Sequence, residues 1–225
     1  MTPYWATITT IQMISKLHYI SQGKTPEQHL ENIQKACTYG TDWVQLRLKD
    51  LDDETILKTA QKAREITAHF QTRLIINDHF KIARKVRADG VHLGKTDACP
   101  LEAREYLGKS YIIGGTANTL EDCNLLVDKK VDYIGLGPFR FTKTKKNLEP
   151  TLGSSGYSTA IKELQTEIPI IAIGGITIKD IPKIMNTGIH GVAISREITH
   201  NFNTIDTFNK ALKQPAVQEQ PYKFN

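Results

Sequence analysis

The chain has 225 residues and a mass of 25.3 kDa, enough for one sizeable core, and its 40 % hydrophobic and 24 % charged content is that of an ordinary globular protein. Twenty-nine Lys and Arg against 24 Asp and Glu leave a net charge of +5 and a pI of about 9.0, which favours anionic ligands. No zinc-ligand spacing, basic helix or aromatic–basic ribonucleoprotein motif accompanies that charge, which argues against nucleic acid, and no apolar run approaches the roughly 20 residues that a membrane-spanning helix needs.

Residues 1–12 have neither a basic flank nor a signal-type apolar core, so the reading is a disordered leader with Met13 as a candidate start. From Lys16 onward one pattern repeats: a short apolar strand, a polar elbow, an amphipathic helix. Leu17–Ile20 is the first strand, and Thr25-Pro26-Glu27-Gln28 opens its helix as a capping box with proline at the first helical position. Trp43–Arg47 is the second strand; Ile56, Leu57, Ala60, Ala63 and Ile66 keep a 3.6-residue period in a helix from about Asp52. Arg73–Ile76 and Asp78–Val86 form the third unit, Gly90–Leu93 and Pro100–Leu107 the fourth. Tyr111–Ile113 and a helix opening at Thr119, with Asp122 at capping-box spacing, form the fifth. Val131–Ile134, a long polar loop and a helix from near Gly156 form the sixth. Pro169–Ile173 with a helix from Thr177, then Gly191–Ile194 with one short terminal helix, complete the set.

Eight such units without a hairpin imply an all-parallel sheet, and eight parallel strands close into a single α/β (β/α)₈ TIM barrel over residues 13–212. A doubly wound open sheet is the alternative. Residues 213–225 lack periodicity and read as a mobile tail. Cys37, Cys99 and Cys123, odd in number and widely spaced, suit a reducing cytoplasm.

In a barrel the chemistry gathers at the carboxyl ends of the strands. Gln45, Arg47 and Lys49 alternate, so they point one way and would line a wet ligand site or an exposed edge. Asn77-Asp78 and Gly94-Lys95-Thr96-Asp97 each place a carboxylate just past a strand. Asp78 is open to a second reading as a helix cap and Asp97 as a turn residue; together they form an oxygen-rich pair suited to Mg²⁺. Gly114-Gly115-Thr116 and Gly174-Gly175 expose backbone amides, and the seventh and eighth elbows, with Ser195 and Arg196, match a common phosphate site of the fold. Gly135–Gly153 brings Thr142, Thr144, Lys145 and Lys146 in a long basic loop, read either as a closing phosphate-binding segment or as a solvated loop packed on the rim by Phe139, Phe141 and Leu148. His92, between Val91 and Leu93, reads as a packed, hydrogen-bonded histidine, and Trp43 and Tyr133 as core.

Gln45–Lys49 (QLRLK), Asn77-Asp78, Val91–Asp97 (VHLGKTD), GPFRFTKTKK from Gly137 and AIGGI from Ala172 resemble, in order and in spacing, the thiamine-phosphate synthase family. The resemblance implies a transferase that joins 4-amino-2-methyl-5-hydroxymethylpyrimidine diphosphate to 4-methyl-5-(2-hydroxyethyl)thiazole phosphate and releases pyrophosphate. It implies that Gln45, Arg47, Lys49, Asn77, Thr116 and Lys145 hold the diphosphate substrate, with Arg47, Lys49 and Lys145 acting on the leaving group. Asp78 and Asp97 would bind Mg²⁺, and Thr142, Thr144, Gly175, Ser195 and Arg196 would receive the thiazole phosphate. Several positions depart from the family pattern: Lys95 for Gln, Thr116 for Ser, Asn118 for His, Lys143 within the Thr-x-Thr-Lys motif, and Arg196 for Ser. A thiazole tautomerase of the same fold and a non-catalytic precursor-binding regulator are the rivals; neither needs Arg47, Lys49, Asp78, Asp97 and Lys145 together.

Overall fold

The computed structural model describes residues 14–141 and 151–213. Thr142, Thr144, Lys145, the leader and most of the tail lie outside those residues. Eight parallel strands pair with their sequence neighbours: β1 (Leu17–Ile20), β2 (Trp43–Leu46), β3 (Arg73–Asn77), β4 (Gly90–Leu93), β5 (Ile112–Ala117), β6 (Tyr133–Leu136), β7 (Ile170–Ile173) and β8 (Gly191–Ile194). Tyr19 pairs with both Val44 of β2 and Ile194 of β8, so the sheet closes on itself. It is a (β/α)₈ barrel, as the eight repeats require, and not an open sheet.

Each strand feeds a helix: α1 (Pro26–Thr38), α2 (Asp53–His69), α3 (Phe80–Lys85), α4 (Pro100–Leu107), α5 (Leu120–Asp128) and α6 (Gly153–Leu164). A 3₁₀ turn (Ile178–Asp180) then leads into α7 (Ile181–Met185), and α8 (Arg196–His200) and α9 (Thr204–Lys213) follow β8. Three of these starts are set by side chains that accept otherwise unpaired N–H groups. Thr25 accepts from Gln28 N, Asp52 from Thr55 N, and Thr119 and Asp122 form a reciprocal capping box.

Strand alternation divides the apolar residues into two shells. Ile20, Trp43, Ile75, Ile112, Tyr133, Ile171 and Ala193 fill the lumen. Tyr19, Val44, Leu46, Leu74, Ile76, Val91, Ile113, Ile134, Leu136, Ala172, Val192 and Ile194 pack outward with the helices. Near the amino end, His18 stacks on Trp43 at 4.1 Å between ring centroids. Both are buried, and burial holds His18 well below its ordinary pKa, so it packs as a neutral ring.

Four local expectations change. Gly114-Gly115 is not an elbow but the middle of β5: a Cβ at Gly114 would lie 2.1 Å from the Tyr133 ring and one at Gly115 2.5 Å from Leu126. The glycines are there for close packing, as interior strand glycines commonly are. Asp78 neither begins nor caps a helix; it adopts φ +65°, and α3 starts at Phe80 with His79 at the cap. Helix α6 starts at Gly153 and not near Gly156, and two helices follow β8 where one was expected.

Candidate active site

At the carboxyl rim the β2 and β3 ends bring the polar residues together. Gln45 Nε2 donates to Asn77 Oδ1 at 2.8 Å, both side chains being buried. Asn77 Nδ2 has no partner among the described residues. A buried amide donor left unpaired costs about 1–3 kcal/mol; the Trp43 indole N–H, in the lumen, is the other such donor among the described residues. Arg47, past the end of β2, faces a cavity of about 740 Å³ on the same rim. Its backbone N–H continues the ladder through a side chain, donating to Ser21 Oγ at 3.1 Å. Ser21 Oγ is in turn 2.8 Å from His29 Nδ1, and burial lowers the pKa of that imidazole.

Lys49 is ion-paired to Asp78, whose side chain is also hydrogen-bonded to Asp97. Burial first, and then the Asp97 carboxyl, push Asp78 up from 3.8 to about 6, against the pull of Lys49. Burial also acts upward on Asp97, but the Asp78 hydrogen bond, the Gly94 N–H at 2.7 Å and the charge of Lys49 outweigh it and hold that carboxyl below its ordinary value. Two carboxyls thus stand beside one ammonium, Asp78 raised and Asp97 lowered. Asp78 sits in the left-handed region, which Asp tolerates better than most residues, and local strain of this kind clusters at functional sites.

Thr116, on β5, lies 2.9 Å from His92 Nε2, and His92 Nδ1 lies 3.0 Å from the buried Tyr133 hydroxyl. His92 is therefore packed and hydrogen-bonded, as read from the sequence. Two of the family departures are joined: Lys95 Nζ is 2.9 Å from Asp122 Oδ2, which also accepts the Asn118 N–H at 2.9 Å, while Asn118 Nδ2 donates to Gly137 O.

Across the cavity, Gly174 and Gly175 take φ +96° and +70°, and Ser195, partly buried, and Arg196, exposed, stand beside them on the lining. The stems of the long loop are joined: Leu152 N donates to Pro138 O at 2.9 Å and Gly153 N to Phe139 O at 3.0 Å. Phe139 is buried against Tyr157 at 5.8 Å, whereas Phe141 is exposed. The structure thus brings Gln45 to Asn77 and Lys49 to Asp78 and Asp97; Arg47, Lys49, Gly175, Ser195 and Arg196 line the cavity, whereas Gln45, Asn77, Asp78, Asp97 and Thr116 do not. Sequence reasoning did not single out Ser21, His29, Arg140 or Asp180. Arg140 stood inside a quoted motif, but nothing in one dimension pairs it with Asp180, 40 residues on.

What fold and rim define is a (β/α)₈ barrel enzyme with a carboxylate–lysine corner and a glycine corner on its carboxyl rim. The profile described as thiamine monophosphate synthase matches residues 17–198. The chain is 45 % identical over 206 residues to thiamine-phosphate synthase of Flavobacterium psychrophilum, covering 89 % of this chain and all of that one. It is 46 % identical over 192 residues to the same enzyme of Flavobacterium johnsoniae, covering 84 % and 91 %. Among solved structures, thiamine phosphate pyrophosphorylase from Pyrococcus furiosus superposes with a TM-score of 0.75 at 22 % identity, over 88 % of this chain and 97 % of that one, which supports the fold. The chain belongs to the thiamine monophosphate synthase family, and with it is a transferase of thiamine biosynthesis.

Proposed function

We propose that this chain joins 4-amino-2-methyl-5-hydroxymethylpyrimidine diphosphate to 4-methyl-5-(2-hydroxyethyl)thiazole phosphate with loss of pyrophosphate, by a dissociative, Mg²⁺-assisted substitution. The observation that carries the reading is the Lys49–Asp78–Asp97 cluster beside the unspent Asn77 amide. Among the described residues no three His, Cys, Asp or Glu gather as a metal cage. Mg²⁺, however, is commonly bound by one or two carboxylates with water and substrate phosphates, and two neighbouring carboxyls beside one ammonium fit that pattern. Asp78 and Asp97 would hold the ion, which when bound supplies positive charge to the pyrophosphate oxygens.

Gln45 and Asn77 supply amide donors and acceptors to the diphosphate substrate. Lys49, released from Asp78, and Arg47 supply ammonium and guanidinium charge where negative charge grows as the C–O bond breaks with its electron pair going to pyrophosphate. Lys145 and Thr116 join them on the strength of the family resemblance. The lone pair of the thiazole nitrogen then forms the new C–N bond, and the thiazole phosphate, anchored at Gly175, Ser195, Arg196, Thr142 and Thr144, is positioned to outcompete water. No protein nucleophile is needed. The reading is of a cytoplasmic enzyme on small phosphorylated substrates, without nucleic-acid or membrane partners; no helix among the described residues is long and apolar enough to cross a membrane, and the three thiols are free.

Incubation with both substrates and Mg²⁺, followed by detection of thiamine phosphate and pyrophosphate in equal amounts, tests this. Isomerisation of the thiazole without either product would support the tautomerase instead, and binding without turnover a regulator.

A further inference from the structure

Arg140 contacts the glycine corner twice. Its backbone N–H donates to Gly174 O at 3.1 Å, one residue after Phe139 N donates to Ile173 O at 2.8 Å. Its guanidinium then reaches over the same elbow: Nη1 donates to Gly175 O at 3.0 Å and to Asp180 Oδ2 at 2.8 Å, and Nη2 to Asp180 Oδ1 at 2.6 Å. The side chain lies so close that a Cβ on Gly175 would stand 2.5 Å from Arg140 Cγ. The clamp is fixed at both ends. Asp180 Oδ2 also accepts the Thr177 N–H and hydroxyl, each at 2.8 Å. At the other end the guanidinium lies over the Phe139 ring at 5.0 Å, and that ring stacks on Tyr157, whose hydroxyl donates to Leu136 O at 3.0 Å.

In a trans peptide the C=O and the next N–H point in opposite directions. Holding the Gly174 and Gly175 carbonyls therefore fixes the direction of the Gly175 and Ile176 N–H groups. Neither N–H meets a protein acceptor among the described residues, and all three residues line the cavity. Two oriented, unspent amides make a concavity suited to an anion.

We propose that Arg140 and Asp180 are positioning residues, which aim the Gly175 and Ile176 amides at the phosphate of the thiazole substrate without touching it; this rests on the reading that the glycine corner receives that phosphate. The fork of Arg is what the geometry uses, because one guanidinium must satisfy a carbonyl and both carboxylate oxygens at once. A lysine is a point charge and meets only part of that set.

The test measures KM for the thiazole phosphate and for its dephosphorylated alcohol, each with saturating pyrimidine diphosphate and Mg²⁺, in wild type, Arg140→Lys and Asp180→Asn, together with melting temperature. The ratio of the two KM values does not depend on the active fraction of a preparation, so a poorly folding variant still gives an answer. Expected is a fall of about 10- to 100-fold in preference for the phosphate ester in both variants, from a raised KM for that ester with kcat nearly unchanged. KM for the pyrimidine diphosphate should stay within about twofold, since uniform binding to the other substrate is untouched. An unchanged ratio, or an equal loss on ester and alcohol, would overturn the positioning role and leave only a structural one. Absence of any preference in wild type would instead sink the placement of the thiazole phosphate itself, and the inference with it.

Discussion

At the β2–β4 rim Lys49, Asp78 and Asp97 crowd three ionisable groups together, one of them in a left-handed backbone, and Asp78 is left with its carboxyl at about 6. At the β6–β7 rim Arg140 and Asp180 also form an ion pair, but burial of Asp180 is outweighed by Arg140 and the Thr177 donors, which hold its carboxyl below the ordinary value. The first corner is poorly satisfied by the protein alone and gains from any ligand that brings charge. In the second, the Arg140 and Asp180 side chains satisfy each other, and the Gly175 and Ile176 amides meet no acceptor among the described residues. On the proposed reaction, the exchangeable ionic corner would suit a group that arrives with a metal and leaves as pyrophosphate, and the prebuilt amide corner a phosphate that stays on the product.

That contrast can be broken first at Asp97. Asp97→Asn should reduce turnover by about 10²–10³ while the chain stays folded, since it removes half of the carboxylate pair offered to a divalent cation. Circular dichroism with a Mg²⁺ titration of activity checks it, and full activity would detach the metal from this corner. Lys49→Ala should slow the chemical step by about 10²-fold, more than it weakens binding of either substrate, because the lost charge acts on negative charge that grows in the transition state. Single-turnover kinetics separate the two, and a raised KM alone would make Lys49 a binding group only.

On the opposite wall, Gly175→Ala meets both a φ of +70° and the Arg140 side chain. It should destabilise the fold by about 1–3 kcal/mol and weaken thiazole phosphate use while leaving the KM for the diphosphate substrate unaltered; thermal melts and initial rates read the two effects. An alanine tolerated without change would mean that the elbow can rearrange freely.

The smallest effect sharpens the comparison most. A folded-state carboxyl raised from 3.8 to about 6 binds more protons than the unfolded chain between those values, so its contribution to stability is present at low pH and is lost as pH rises through 6. Asp78→Asn carries no such slope. The ligand-free variant should therefore melt like wild type near pH 4 and above it at pH 7–8. The full shift corresponds to at most about 3 kcal/mol, and solvent screening reduces the expected gain to about 1 kcal/mol. Activity would be lost in the same variant, a trade of stability against function. Equal melting temperatures across that range would show that Lys49 already neutralises Asp78.

The barrel was legible from the sequence because its signal is local. Apolar strand segments recur eight times, with capping signals at Thr25 and Thr119 and a 3.6-residue stripe through Ile56–Ile66, and each depends only on neighbours within a few residues. Gln45, Asn77, Asp78 and Asp97 were legible as polar groups at strand ends, Asp78 and Asp97 with cap and turn readings beside the metal one; that Gln45 meets Asn77 and Lys49 meets Asp78 was not. Gly114-Gly115 was misplaced because a glycine pair looks the same whether it turns the chain or makes room for Tyr133 and Leu126, and that distinction lies in another strand.

What the sequence by itself determined, then, is the eight-unit chain and the kinds of group at each elbow. What only the tertiary structure decided is which groups touch: Lys49 with Asp78 across 29 residues, Ser21 with the Arg47 amide across 26, and Arg140 with Asp180 across 40. The physical reason is that strand register and barrel closure set those distances, and both are properties of paired strands that no single segment contains.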